Sequence, residues 1–227
     1  MNATSVAAAC ALGLVLGCRH AFEPDHLAAV AAMVSDGRGR GSGTRSVRRA
    51  AGVGALWGLG HSLALLVVAT VLAALRAEMP AYLTTGLEIV VGVLLVGLAV
   101  HLMRRGTAMH AVATRDLEPP SGDVPRKREL TLSVVRPLVV GLVHGLAGSG
   151  ALVALVATTI DDPGARVAHV ALFGLGSTVA MAALSGAAGI PVAVLSARHA
   201  LARWLRAAAA VLSATTGIVW IASALAG

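Results

Sequence analysis

The chain has 227 residues, of which 57% are hydrophobic and only 13% are charged. Soluble domains are about 45–50% apolar and about 25% charged, so this composition excludes an ordinary soluble protein and indicates a polytopic membrane protein. The formal net charge of +7 does not indicate nucleic-acid binding, because most basic residues lie in loops between apolar runs, where the positive-inside rule places them. We therefore expect the lipid bilayer to surround the protein, and we expect no nucleic acid among its partners.

Six apolar runs follow one another along the chain, and each reaches the roughly 20 residues that a transmembrane helix needs. The first run is interrupted at Pro24. We therefore predict an all-α polytopic membrane protein with six transmembrane helices. In chain order, the predicted spans are Ser5–Val34, Ala50–Leu75, Tyr82–Met103, Pro137–Ile160, Val167–Leu195 and Leu205–Ala226.

The connections between these spans alternate in charge. The first, third and fifth are rich in arginine, whereas the second, near Glu78, and the fourth, near Asp161, are short and not basic. Because basic loops remain in the cytoplasm, we predict a protein of the bacterial cytoplasmic membrane with both termini outside. The arginines that support this orientation include Arg38, Arg40, Arg45, Arg48, Arg49, Arg105, Arg115, Arg126, Arg128, Arg198 and Arg203.

Two parts of the sequence resemble each other. Residues 55–62 (ALWGLGHS) align with residues 171–178 (ALFGLGST), and Gly17–His20 aligns with Gly141–His144. Chance similarity between glycine-rich apolar helices is the alternative. Because three spans are an odd number, a second set of three would enter the membrane from the opposite side, as in transporters whose substrate site lies between inverted repeats. The predicted divisions are a first three-helix repeat at 1–103, a cytoplasmic linker at 104–136 and a second repeat at 137–227.

The segment Arg19–His26 places two imidazoles and two carboxylates within a predicted span. Ionisable groups at membrane depth are costly and usually functional, and imidazole with carboxylate suits divalent transition metals. On a continuous helix His20 and His26 would point about 240° apart, but a break at Pro24 would allow them to share a site. We predict that His20, Asp25 and His26 bind a metal ion. The alternative role for Asp25 is to cap the second half-helix.

Other polar residues in the predicted spans are further candidates. His61, in a Gly-x-Gly-His-Ser sequence, is predicted as a fourth metal ligand because the glycines allow another helix to approach closely. A hydrogen bond between helices is its alternative role, and the same alternative applies to His144, the aligned counterpart of His20. Glu23 is a candidate ligand, gate or helix cap, and Glu88 is a candidate structural or proton-relay carboxylate. The additional candidates for metal binding or gating are Glu23, Ser62, Glu88 and His144.

The sequence His-x4-Asp-His that begins at His20 resembles the signature of the nickel/cobalt transporter superfamily. The longer segment Arg19–Val30 is most similar to its short six-span branch, the UreH-like urease accessory permeases, and Leu59–Ser62 and Gly141–Gly150 resemble further motifs. The resemblance implies permeation of nickel or cobalt. This chain lacks the acidic motif of the eight-span members, so their full coordination scheme does not carry over. The functional positions that the resemblance implies are His20, Asp25, His26 and His61.

Together these features predict a secondary permease and not an enzyme. The sequence contains no Walker-type phosphate loop, so the membrane potential, a coupled ion or a separate partner must supply the energy. The expected substrate is Ni²⁺ or Co²⁺, with no permanently bound cofactor, and a nickel-enzyme maturation system is the expected recipient. Exporters of the superfamily often carry a histidine-rich loop, whereas residues 104–136 contain a single histidine, His110. This favours uptake, with export as an alternative.

A transmembrane thiol–disulfide electron carrier is an alternative from another functional class. That chemistry needs one cysteine in each half of the protein, but the two cysteines, Cys10 and Cys18, both lie in the first predicted span. Along a helix their separation would be about 12 Å, which is too long for a disulfide.

Overall fold

The computed structural model describes residues 3–36, 44–75, 79–113, 126–146, 160, 162–195 and 199–226. Within these residues the chain forms seven α-helices and no strand, which confirms the predicted all-α class. The helices are α1 (Ala3–His20), α2 (Pro24–Ser35), α3 (Thr44–Leu75), α4 (Ala81–Ala113), α5 (Arg126–Gly145), α6 (Pro163–Leu195) and α7 (His199–Ala226).

Four helices, α3, α4, α6 and α7, are long and apolar enough to cross a membrane, and α1 with α2 forms a fifth, bent candidate. Large apolar side chains such as Val93, Val179 and Val211 are more than half exposed, as expected for surfaces that face lipid. The protein is therefore a multi-pass membrane protein. The remaining predicted span, Pro137–Ile160, contains the end of α5, but its residues 147–159, with Gly148 and Gly150, lie outside the described residues.

The first span is broken between α1 and α2, whose axes differ by 57°. The backbone N–H groups of Phe22 and Glu23 donate to the carbonyls of Arg19 and His20, each at 3.0 Å, and these bonds close a tight turn. Pro24 has no N–H group and lies in the first turn of α2, where no intrahelical donor is needed. The predicted interruption at Pro24 is confirmed.

Helices extend into the segment 104–136, for which the sequence predicts a linker. α4 continues to Ala113, and α5 begins at Arg126. Arginine, lysine, leucine and glutamate are good helix formers in water as well as in lipid, so a helix need not end at the membrane surface. The bounds of an apolar run therefore show where the chain is hydrophobic, and they do not show where its helix ends.

The helices of the first part of the chain pack against those of the second. α1 lies against α6, α4 lies against α7, and α3 lies against both α5 and α6. The short helix α2 is central and contacts α4, α6 and α7. Its residues Ala28, Ala29 and Val30 are almost fully buried. The core of the protein thus surrounds the helix that follows the break.

Glycines allow neighbouring helices to approach with backbone against backbone. A Cβ atom on Gly141 of α5 would collide with the carbonyl oxygen of Trp57 on α3, and one on Gly17 of α1 would collide with that of Phe173 on α6. Small residues at such contacts let membrane helices come together where lipid provides no hydrophobic driving force. These positions leave no space for a larger side chain.

A reciprocal contact joins α3 and α6. A Cβ atom on Gly58 would meet Thr178, and one on Gly174 would meet Ser62. The Ser62 hydroxyl donates to the carbonyl of Gly174 at 2.8 Å and lies 3.0 Å from Oγ1 of Thr178. Two small residues and two hydroxyls therefore fix the distance between these helices.

Asp36 connects the end of α2 to two other helices. It is the C-cap residue of α2, and its N–H donates to the carbonyl of Ala32 at 3.1 Å. Its carboxylate pairs with the guanidinium of Arg136 on α5 and lies 3.4 Å from Nε2 of His101 on α4. A carboxylate that is only 9% exposed in a membrane protein needs such partners. This charge compensation holds α2 against α4 and α5.

Replacing Gly141 with valine tests the close contact between α5 and α3. Because the new Cβ would overlap the Trp57 carbonyl, α5 would have to move, and overpacking of this kind costs about 1–3 kcal/mol or more. We expect the melting temperature of the detergent-solubilised protein to fall by about 5 °C or more, measured together with its elution from a size-exclusion column.

Gly97→Val is the matched control. Gly97 lies on α4, and no atom of the described residues lies within 4 Å of the position that a Cβ would take there, so we expect a melting temperature close to that of the wild-type protein. Equal melting temperatures for the two variants would show that the contact at Gly141 is unimportant for stability.

Candidate metal site

The helix break positions three of the four predicted metal ligands. His20 is the last residue of α1, and Asp25 and His26 lie in the first turn of α2. Between them, Glu23 has the extended backbone angles φ −63° and ψ 147°, which redirect the chain. Each of the three predicted ligands is at most 5% exposed. The local sequence therefore places two imidazoles and a carboxylate inside the protein.

His61 comes from α3 and meets these residues in the interior. Its Nε2 atom lies 3.1 Å from Nε2 of His20, and its ring centroid is 5.1 Å from that of His26. The rings of His20 and His26 are 4.3 Å apart. One nitrogen from each histidine lies within 4.8 Å of the others. Two nitrogens that bind one ion at about 2.1 Å are roughly 3–4 Å apart, so small adjustments would let all three bind together.

His144 reaches the same region from the end of α5. Its Nε2 atom donates to Oδ2 of Asp25 at 2.9 Å, and Nδ1 of His26 donates to Oδ1 of the same carboxylate at 3.0 Å. The ring centroids of His26 and His144 lie 4.7 Å apart. Asp25, His26 and His144 form a second buried group, again with one ligand atom each within 4.8 Å of the others. The carboxylate of Asp25 is thus held by two imidazoles, and the N-cap residue of α2 is Glu23.

Carboxylates determine which nitrogens of two histidines are free to bind a metal. Nδ1 of His20 lies 3.0 Å from Oε1 of Glu23, just as Nδ1 of His26 contacts Asp25. Because a carboxylate accepts hydrogen bonds, both rings carry their proton on Nδ1 and keep a lone pair on Nε2. Histidines that bind metals commonly donate their second nitrogen to a carboxylate in this way. Glu23, which is 49% exposed, contacts the cluster through His20.

Several buried nitrogens of the cluster have no hydrogen-bond partner among the described residues. They are Nε2 of His26, Nδ1 of His61 and Nδ1 of His144. Leaving a buried polar atom unsatisfied costs about 1–3 kcal/mol. A metal ion, or water that accompanies it, would satisfy these atoms. A set of imidazoles with one carboxylate suits divalent transition metals, whereas Mg²⁺ and Ca²⁺ prefer oxygen ligands.

Two aromatic residues outside the predicted ligand set line the cluster. The ring of Trp57 is fully buried and lies 5.5 Å from that of His26 and 5.7 Å from that of His144. The ring of Phe173 lies 5.3 Å from that of His20. Trp57 precedes His61 by four residues, a spacing that places both on the same face of a helix. This spacing is the signal in the sequence that could have identified Trp57.

The structure does not bring Ser62 or Glu88 into either histidine group. Consecutive residues of a helix point about 100° apart, so the Ser62 hydroxyl contacts α6 while His61 faces the other imidazoles. Glu88 lies half-buried on α4 and belongs to neither group. Among the described histidines, His169 is also buried, but its Nδ1 lies 2.6 Å from the carbonyl of Ala9, away from the cluster.

A known protein is similar to most of this chain. The chain is 31% identical to the urease accessory protein UreH of Bacillus sp. (strain TB-90) over 189 residues, which cover 82% of this chain and 78% of that protein. No protein-family model matches the chain, and no solved structure matches it. The resemblance inferred from the His-x4-Asp-His motif is confirmed at the level of the family. Identity of this extent over most of both proteins shows that the chain belongs to the UreH family of urease accessory proteins.

Proposed function

We propose that this protein is a secondary permease that carries Ni²⁺, with Co²⁺ as a second candidate, across the cytoplasmic membrane. The observation that carries the proposal is the buried group of His20, His26 and His61, which brings three imidazoles together within the membrane-spanning part of the chain. Polar side chains at this depth are costly and mark ion pathways. Imidazole is a good ligand for nickel, cobalt and zinc.

The substrate-binding residues in this proposal are those that the family resemblance implies. His20, His26 and His61 supply neutral nitrogen ligands. Asp25 supplies a negative charge that lowers the energy of a divalent cation among them, since charges interact more strongly away from water. Glu23 orients His20 through its hydrogen bond. The proposed substrate-binding set is His20, Asp25, His26 and His61.

The name of the relative supports nickel as the substrate. UreH of Bacillus sp. is described as a urease accessory protein, which favours a role in supplying a nickel-enzyme maturation system. A divalent cation gains about 4.6 kcal/mol when it moves inward down a potential of about 100 mV. Uptake by this route therefore needs no ATP hydrolysis, and we propose uptake over export.

We further propose six spans arranged as two inverted three-helix repeats. Ser62 lies 3.0 Å from its aligned counterpart Thr178. Contact between equivalent residues is what a two-fold axis produces. The packing of α1 on α6 and of α3 on α5 supports the same relation. The proposed divisions are the repeats 1–103 and 137–227 with a cytoplasmic linker at 104–136, both termini being outside.

The thiol–disulfide carrier has less support. Cys10 and Cys18 are both free and both lie on α1. The thiol of Cys18 donates to the carbonyl of Gly176 at 3.6 Å. The sequence has no cysteine in its second half, so a relay between the halves would have no partner thiol.

Replacing His26 with alanine tests the transport site. The imidazole of His26 belongs to both metal-binding groups, so its loss should lower the initial rate of radioactive nickel uptake by about tenfold or more. Uptake is measured in proteoliposomes with an imposed inside-negative potential, with cobalt and zinc as competitors. Wild-type uptake by a well-folded His26→Ala variant would contradict the assignment.

His169→Asn is the matched control, because His169 is an equally buried histidine outside the cluster. Its asparagine replacement retains a donor for the carbonyl of Ala9, which His169 contacts through Nδ1. We expect uptake close to the wild-type rate.

The proposed orientation can be tested by cysteine labelling in a background that lacks Cys10 and Cys18. Because the Arg-rich connections are expected in the cytoplasm, a cysteine at Gly43 or Gly122 should react with a membrane-impermeant maleimide only after the cells are permeabilised. A cysteine at Asn2 should react in intact cells. Labelling of position 122 in intact cells would refute the orientation.

A further inference from the structure

His26 is shared by the two buried groups that could hold a metal ion. The first consists of His20, His26 and His61, and the second of Asp25, His26 and His144. Resting on the proposed function, we propose that the permease has two successive metal positions, and that His26 hands the ion from one to the other. The first position is formed by α1 and α3 with α2, and the second by α5 with α2.

The imidazole of His26 is close to rings of both groups. Its ring centroid lies 4.3 Å from that of His20 and 4.7 Å from that of His144. Its two nitrogens face different partners, because Nδ1 contacts Asp25 whereas Nε2 has no hydrogen-bond partner among the described residues. An ion in the first position would bind Nε2, and an ion in the second would bind Nδ1.

The two positions are close enough for a single transfer step. An imidazole that binds a metal at about 2.1 Å through either nitrogen places the two positions roughly 6 Å apart. The ring of His26 need not rotate for the ion to pass between them. Trp57, whose ring lies 5.5 Å from that of His26 and 5.7 Å from that of His144, restricts the space available for such a rotation.

The transfer balances in protons. Because the Asp25 carboxylate accepts hydrogen bonds from Nδ1 of His26 and from Nε2 of His144, each of these nitrogens carries a proton when no ion is bound. An ion bound by these two nitrogens and by Asp25 displaces both protons. A neutral imidazole can carry its proton on either nitrogen, and Nε2 of His26 and Nδ1 of His144 are available to receive them. At the first position, the proton that Nε2 of His61 donates to Nε2 of His20 moves to Nδ1 of His61 while an ion is bound there, and it returns when the ion leaves. The ion therefore passes between the two positions without a net change of charge.

The second position explains the environment of His144. The His144 ring is 2% exposed and contacts the Asp25 carboxylate through Nε2, and its Nδ1 has no hydrogen-bond partner among the described residues. A hydrogen bond between two membrane helices contributes little stability, whereas an unsatisfied buried polar atom is costly, so a role in joining helices alone does not account for the buried Nδ1. A ligand that alternates between two proton positions needs this arrangement.

The experiment compares His144→Asn with His20→Asn in the full-length protein. The asparagine amide at position 144 can still donate to Asp25, so the first position should remain intact. Equilibrium dialysis of the purified protein against radioactive Ni²⁺ measures binding, and proteoliposomes measure flux. For His144→Asn we expect a Kd within about threefold of the wild type but a flux lower by about tenfold or more, whereas His20→Asn should weaken binding by about tenfold or more.

Two results would overturn the proposal. Wild-type flux in His144→Asn would show that the second position is not on the pathway, and a Kd weakened as much as by His20→Asn would show one joint site. His144→Gln gives a second variant with the same readouts if His144→Asn does not elute as a monodisperse protein, and His169→Asn is the control. Absence of nickel binding and flux in the wild-type protein would instead refute the proposed function itself.

Discussion

The carboxylate of Asp25 accepts hydrogen bonds from His26 on its own helix and from His144 on α5, and the centre of the protein is organised around it. A charge buried among membrane-spanning helices is stable only where partners replace water. These partners lie more than a hundred residues apart in the chain, so the carboxylate joins the two parts of the molecule. It also orients His26 through the hydrogen bond to Nδ1, and Nε2 of the same ring has no hydrogen-bond partner among the described residues.

The sequence was informative about this centre where the signal is local. Pro24 between His20 and Asp25 predicts a broken helix, and the break is what allows residues six positions apart to meet. His144 was identified by alignment with His20, and the structure places both in the same buried region. The glycines next to His61 predict that another helix approaches it closely. In the structure, Gly60 lies against the carbonyl oxygen of Leu138 on α5.

Other features depend on tertiary contacts that no local pattern contains. Ser62 is adjacent to His61, but a rotation of about 100° per residue directs it to α6, and a motif cannot show which neighbour faces the site. Hydropathy does not predict that α4 extends to Ala113, because the helix continues beyond the end of its apolar run. Trp57 packs beside the rings of His26 and His144. The contact with His144 depends on where α5 lies, which the sequence of α3 alone does not define.

The backbone contacts at Gly17, Gly58 and Gly141 also bear on how an ion would be selected. Helices packed this closely leave no room for a wide, water-filled pore at these contacts, so a cation that reached the imidazoles would have to give up most of its hydration shell. Mg²⁺ loses water reluctantly and gains little from nitrogen ligands. Selection against Mg²⁺ would then come from the ligands, because imidazole nitrogens would compensate a transition-metal ion for its lost water and would not compensate Mg²⁺.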